Sequence, residues 1–348
     1  MRFIGVDLHS NQLTACYLTT SGQESHRSFA LKALADFQKS LRRSDRLAVE
    51  ATTNTRWFVA QIKQQVAEVV VVNPNQFEVI RKSVKKTDRH DARALALFLS
   101  KEMLPEARLK SERAAEINSL ASTRDKLVKL RTALVNKLHA LHRGRGLESR
   151  KSQFLSARGL QAVLAREWSG TSRVEVEVII SQIGSLNAGI KRLDVQLQAS
   201  AAQLHGYENL VSIKGIGAKA AAILLSVIGK IEDFEDEAKL AAYFGIVPRV
   251  SNSNETVQHG RITKRGSKLG RTTLVQCALV AKKYSPYLKQ FYERIKAKRG
   301  GGKAIIATAR KFLGIIYRTL KNDWVFEDFP NFVLAEGRMF NLGVDKSS

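Results

Sequence analysis

A chain of 348 residues, 44% of them hydrophobic, holds enough apolar material for two or three packed domains, which excludes a disordered linker or tail as its overall character. Its 57 Lys and Arg outnumber 32 Asp and Glu, and the formal charge of +25 predicts a polyanionic partner. No apolar run reaches the roughly eighteen residues of a membrane span, and the opening MRFIGVDLHS reads as a strand, not a signal peptide.

Cys16 and Cys277 are too far apart for a disulfide framework or a zinc motif; they are expected to be core thiols in a reducing cytoplasm. The charge is concentrated late: 17 Lys or Arg against one acid, Glu293, lie between Arg261 and Lys321. An anionic membrane surface competes with nucleic acid as the partner, but no lipidation motif accompanies the charge.

In chain order, RFIGVDLH and LTACYLTT read as strands, and the turn signal SGQ introduces a third strand at ESHRSFA. RLAVE is a fourth strand, WFVAQIKQQ a helix and VVVVN a fifth strand, stopped by Asn73-Pro74. DRHDARALALFLSKE is a helix with an apolar face of Ala94, Leu95, Leu97, Phe98 and Leu99. This order predicts a mixed sheet with helices on its faces over residues 1–105.

Residues 106–206 are expected to form a helical connector with two heptad seams. In the first, Ile117, Leu120, Leu127, Leu134, Leu138 and Leu141 occupy a and d positions, and Arg124 and Arg131 fill the other two a sites. In the second, Ile179, Ile183, Leu186, Ile190, Leu193, Leu197 and Leu204 continue the pattern around Ser200. The spacing favours a coiled coil, within one chain or between chains, and the buried arginines require partners. Residues 207–325 read as mainly helical, and 326–348 as an irregular tail. SIKGIGAKAA has the form of a helix-hairpin-helix turn, whose free amides suit phosphate; a helix C-cap followed by an ordinary turn also accounts for its glycines. Helical runs are expected at Arg271 to Lys283, Pro286 to Lys298 and Lys303 to Leu320, with KRGGGK as a flexible joint.

Four acids stand out. Asp7 lies near the end of the first strand, Glu50 ends the fourth, and Asp88 and Asp91 share one face of a helix start. Carboxylates brought together repel by roughly 4 kcal/mol per pair at about 4 Å, and a divalent ion such as Mg²⁺ or Mn²⁺ removes that repulsion. Taken singly, Asp88 is also a natural helix N-cap, and Asp7 and Glu50 could be turn or surface residues.

GIVPRVSNSNETVQHGRITKRGSKLGR, together with Asp7, Glu50, KKTDRHDA, the helical connector and IKGIG in that order, resembles the one-ten insertion-sequence family of DEDD-type transposases. The resemblance runs from Arg2 to about Lys321. It implies a RuvC-like, ribonuclease-H-type N-terminal domain whose catalytic and metal-binding DEDD set is Asp7, Glu50, Asp88 and Asp91. It also implies a nucleophilic serine, Ser253, followed here by Asn254 where the family commonly has Gly; Ser251 is the alternative register. By the same resemblance the enzyme is a homo-tetramer that recombines DNA through a phosphoserine link, guided by a structured bridge RNA. Lys214, Gly215, Gly217, Lys219, Arg261, Lys264, Arg265, Lys268 and Arg271 are the expected nucleic-acid contacts. His259 is a candidate base. Two other readings use the same residues: a metal-dependent nuclease or junction resolvase with no serine adduct, and a non-catalytic nucleic-acid-binding protein.

Overall fold

A computed structural model of the protein describes residues 1–74, 76–77, 87–253 and 256–335, with the side chains of 250–259 outside that description. The chain divides into two compact units, Met1–Leu109 and Lys110–Ser348. Among the described residues no helix is long and apolar enough to cross a membrane.

The first unit is built on a five-stranded sheet of order β3-β2-β1-β4-β5: β1 Arg2–Leu8, β2 Gln12–Thr19, β3 Glu24–Ala30, β4 Arg46–Glu50 and β5 Glu68–Val72. The first three strands are antiparallel, and β4 and β5 add in parallel. This mixed sheet is compatible with a RuvC-like domain. Alternation along β1 separates two cores. Ile4, Val6 and Leu8 pack with Phe37 of α1 (Leu34–Ser40) and with Phe58 and Ile62 of α2 (Thr55–Ile62). Phe3 faces the other way, where Cys16, Ala48 and Val70 meet Ala92, Leu95 and Leu99 of α3 (Asp88–Ser100). The KKTDRHDA motif is described only from Thr87 onward; its lysines lie outside the described residues.

Gly5 stands between Phe3 and Asp7 on the α3 side. A Cβ there would sit 2.0 Å from the carbonyl oxygen of Ala92 and 2.5 Å from the amide nitrogen of Ala96. Its missing side chain is what lets the α3 backbone lie directly on the central strand.

The second unit begins with α4 (Glu112–Arg143) and α6 (Gly170–Ala201), two helices of 32 residues each that pair as an antiparallel hairpin within the chain. Ile117, Leu138, Ile179, Ile183, Ile190 and Leu197 of the heptad seams are buried. The seam arginines are paired: Arg124 bonds Asp194, and Arg131 donates to Asn187. Burial alone would raise the Asp194 carboxyl, but Arg124 and Lys219 outweigh it and hold it below its ordinary value. Around the tip, α5 (Ala157–Leu164) and Phe154 close a small core with Val135, Leu138 and Val176. At the stem, Ile117, Ala121, Leu197 and Ala201 pack on Ala222 and Ile223 of α8 (Ala218–Ile228). By its contacts, therefore, the expected connector belongs to the same unit as the C-terminal helices.

Those helices are α7 (Tyr207–Ser212), α8, α9 (Glu237–Tyr243), α10 (Lys268–Tyr284) and α11 (Pro286–Lys321), with a hairpin of β6 (Pro248–Ser253) and β7 (Thr256–Ile262) before α10. The expected joint at KRGGGK is a single break inside α11 at Gly300, where φ is 77°. The expected irregular tail is corrected over its first part. Phe326–Asp328 and Val333–Leu334 form β8 and β9, and Phe326, Phe329, Phe332 and Leu334 are buried in the main core. Aromatic residues this dense recover more by burial than an irregular exposed tail would. Residues 336–348 lie outside the described residues.

Gly5→Ala should destabilise the protein by about 1–3 kcal/mol, because the clash is with backbone that cannot step aside. Gly184 in α6 has open space around its Cβ position, so Gly184→Ala should stabilise by up to ~1 kcal/mol. Urea unfolding midpoints of the two variants test the contrast.

Candidate metal-dependent active site

The β1–β4 register runs to Val6 beside Val49, so Asp7 and Glu50 are the next residues of two adjacent parallel strands. Phe3 and Ala48, which share their respective faces, both pack under α3, and this places Asp7 and Glu50 on the α3 side of the sheet. Asp88 and Asp91 occupy the first turn of that helix. Thr87, not Asp88, supplies the N-cap, accepting from the His90 amide at 3.2 Å. The Asp88 carboxylate is thus left to face its neighbours. The Glu50 backbone carbonyl accepts from the Thr55 hydroxyl, and Thr55 is buried, so the strand end is anchored by the start of α2.

The electrostatics of these groups are coupled. Burial raises the Asp7 carboxyl above its ordinary range; His9 draws it back, and Asp88 and Asp91 push it up again. Burial also raises Glu50, with Asp7 and Asp91 adding to the shift. His9 is not legible as a site residue in the sequence. It follows β1, and its Nε2 lies 3.1 Å from Oδ2 of Asp7 and 3.4 Å from Oδ1 of Asp88. Burial works against its cation, but the two aspartates outweigh that and make the imidazole more basic than usual. The Asn54 side chain donates to the His9 carbonyl at 2.7 Å and fixes this turn. A D-x-H sequence at a strand end is the signal that could have found it.

Ligand atoms of Asp7, His9 and Asp88 lie within 4.8 Å of one another. The carboxylate oxygens, two of them on groups raised chiefly by burial, fit a hard divalent cation of the Mg²⁺ or Mn²⁺ type, and the His9 imidazole beside them suits Mn²⁺ better than Mg²⁺.

In the second unit, Gly215 has φ +112°, and a Cβ there would meet the Ala281 amide at 2.7 Å, so the turn between α7 and α8 presses onto α10. Gly217 is the N-cap residue of α8 and supplies no side-chain cap. Lys214 is exposed, whereas Lys219 pairs with Asp194 at 3.2 Å. Arg261, Lys264, Arg265 and Lys268 are all at least partly exposed. Their loop is firmly seated: at Gly245 and Gly266 a Cβ would lie 1.9 and 2.0 Å from backbone oxygens of Arg265 and Tyr243. Arg271 stands apart: it is half-buried and donates to the Phe244 carbonyl at 2.9 Å, so part of its guanidinium is engaged in the fold.

Ser251 and Ser253 belong to β6, with the Ser253 backbone opposite Thr256 at the end of the hairpin. The side chains of Ser251, Ser253 and His259 lie outside the described residues, as does Asn254. Single-residue reading also missed the cations on aromatic rings of α10 and α11. Lys282 sits 3.6 Å from the Tyr292 ring centre, and Lys311 lies 5.0 Å from Phe291.

Comparison with known proteins points to one family. The profile of the IS116/IS110/IS902 transposase family matches residues 207–293, and a DEDD-type transposase profile of the IS110 kind matches residues 4–144. The chain is 30% identical to the transposase for insertion sequence element IS1111A of Coxiella burnetii over 262 residues, 72% of this chain and 70% of that protein. It is 25% identical over 346 residues to a pilin gene-inverting protein of Moraxella bovis, covering 93% and 97% of the two chains. Identity to a probable family 20 transposase of Pseudomonas aeruginosa is 27% over 238 residues, 67% and 70% of the two. A DEDD nuclease-like domain suggests dependence on a divalent metal. With an acidic cluster inside the DEDD match and a basic helical region inside the second, the chain belongs to the IS110/IS116 family of transposases, enzymes that act on DNA.

Proposed function

We propose that the protein is a site-specific DNA recombinase in which Ser253 forms a phosphoserine link to DNA and Asp7, Glu50, Asp88 and Asp91 hold Mg²⁺ or Mn²⁺. The observation that carries the metal half of this reading is the electrostatic coupling of the four acids on the α3 side of the sheet. In the first step the Ser253 hydroxyl attacks a backbone phosphorus. The Oγ–P bond forms, the bond to the leaving deoxyribose oxygen breaks, and the serine proton passes to a base. Rejoining reverses this with a different DNA hydroxyl. Bound divalent metal supplies Lewis-acid stabilisation of the phosphoryl charge and makes the attacking hydroxyl more acidic. Arg261, Lys264, Arg265 and Lys268, around the loop that follows β7, neutralise DNA phosphates. Lys214 and the amides beyond Gly215 and Gly217 take further phosphates.

The partners in this reading are donor and target DNA and a structured bridge RNA, to which the charge of +25 is suited. The assembly is a homo-tetramer in which the acids of one subunit serve the serine of another. Site-specific exchange accords with the gene inversion named for the Moraxella bovis relative. The DEDD domain fits a second reading about as well: a metal-dependent nuclease or resolvase in which water attacks and Ser253 is structural.

Purified protein incubated with its element's DNA ends and RNA should yield a covalent protein–DNA adduct on a denaturing gel. Ser253→Ala should abolish the adduct, and Asp7→Ala should reduce it at least ~100-fold. Cleavage retained in Ser253→Ala but lost in Asp7→Ala would select the hydrolytic reading; an adduct retained in Ser253→Ala would move the nucleophile elsewhere.

A pH prediction follows from the raised carboxyls of Asp7 and Glu50. A raised folded-state pKa favours the protonated form in the folded protein. Without metal, this contribution to stability is therefore present at low pH and lost as pH rises through the raised values. Metal binding requires the ionised forms, so added Mn²⁺ should stabilise increasingly over the same rise. Thermal unfolding with and without Mn²⁺ across that range should give diverging curves; parallel curves would argue against the acids as ligands.

Lys264→Ala with Arg265→Ala should weaken DNA binding across unrelated sequences. It should also lower the slope of log affinity against log salt by about two, one for each phosphate no longer neutralised. Fluorescence anisotropy at several salt concentrations measures both effects.

A further inference from the structure

The antiparallel register of β2 and β3 places Cys16 opposite His26, with Glu24 two residues along on the same face. One ligand atom from each of Cys16, Glu24 and His26 lies within 4.8 Å of the others. Cys16 is fully buried. The Nδ1 atom of His26 is also buried, and it has no hydrogen-bond partner among the described residues. An orphaned buried ring nitrogen needs a physical reason, and an ion is one of the few available. Nε of Arg93 donates to the two Glu24 carboxylate oxygens at 2.9 and 2.7 Å, and this pairing holds the carboxyl below the ordinary range.

We propose that Cys16 Sγ, His26 Nδ1 and a Glu24 carboxylate oxygen form a second metal site, separate from the acidic cluster, which takes zinc or a similar borderline divalent cation. A sulfur, a nitrogen and an oxygen donor match zinc chemistry, whereas Mg²⁺ calls for oxygen alone. Three protein ligands leave the fourth tetrahedral position to water. Burial, reinforced by Glu24, pushes the Cys16 thiol up to about 11, so binding displaces its proton to solvent. The ion also draws Glu24 away from Arg93, a residue of α3 two positions beyond Asp91. The site crosses the outermost strand pair of the sheet and fastens β3, its edge strand. Sequence spacing alone could not reveal it, because the ligands meet only through strand register.

Cobalt(II) is the probe, titrated into the full-length protein under a non-thiol reductant. The near-ultraviolet thiolate-to-cobalt charge-transfer band should saturate at about one equivalent. It should persist in Asp7→Ala and Cys277→Ala, which separates the site from the acidic cluster and from the other cysteine. Cys16→Ser and His26→Ala should each lose the band. His26 is only half-buried on an edge strand, so that variant guards against a failure to fold at Cys16, with circular dichroism as the check. Arg93→Ala should tighten cobalt binding ~10-fold by freeing Glu24. No band in the unmodified protein, or a band that survives either Cys16→Ser or His26→Ala, would overturn the site. Unchanged affinity in Arg93→Ala would remove Glu24 from the ligand set. Failure here leaves the serine-adduct test untouched, since the two use different residues and readouts.

Discussion

The close approach of α3 to β1 at Gly5 is the contact on which the acidic site depends. Residue 5 carries no Cβ, so the helix backbone reaches the strand itself and does not ride on a layer of side chains. The helix start therefore hangs over the strand ends, and its first-turn carboxylates come within electrostatic reach of Asp7 and Glu50. A larger residue would lift α3 and carry its first-turn carboxylates away from the strand ends. The repulsion they exert is a local conflict in an otherwise consistent fold, and such conflicts mark sites that serve a ligand.

Much of the first unit is legible in the sequence because its apolar strand runs and the apolar face of α3 stand out. The near-continuous apolar stretches in RFIGVDL and QLTACYLT, and the unbroken run VVVV, specify strands whose faces are both covered. The placement of Asp7 and Glu50 at strand ends follows from the same pattern, and so does the shared face of Asp88 and Asp91. What cannot be read is whatever depends on a tertiary neighbour. LADFQKS is too short to show a helical period, and it forms α1 because Phe37 fills the core opposite Phe58. Asp88 looks like a cap until Thr87 is seen to hold that position. His9 looks like a turn residue until α3 brings Asp88 to it.

The second unit shows the same division between local pattern and global outcome. Basic residues are countable, but their employment is not. Lys264 and Arg265 are exposed on a loop clamped by two glycines, while Arg271, in the same run, is half-buried and already donates to the Phe244 carbonyl. A cation's value for phosphate binding depends on what the fold has already asked of it. Charge density over Arg261 to Lys321 thus identifies a surface without ranking its members. The aromatic tail segment carries the opposite lesson. Its phenylalanines read as part of an irregular end, yet they complete the main core through ring contacts such as Phe326 with Phe329 at 5.2 Å.

The arginines in the heptad seam bear on how the hairpin reaches a single register. Arg124 meets Asp194 and Arg131 meets Asn187, so both pairs belong to one antiparallel alignment. Slipping one helix by a heptad sets Arg131 against Ile180 or Arg124 against Ala201, leaving a guanidinium in the seam without its acceptor. Leucine contacts tolerate such a slip far better, because a heptad repeat presents another leucine-like residue at each step. The polar pairs therefore discriminate between registers that apolar burial leaves nearly degenerate. Each helix of 32 residues spans about 48 Å at the usual rise. A single register fixes where the tip cluster around Phe154 stands relative to the stem packed on α8. Interactions that look like blemishes in a coiled-coil pattern are what turns a slippery pair of helices into a strut of defined length.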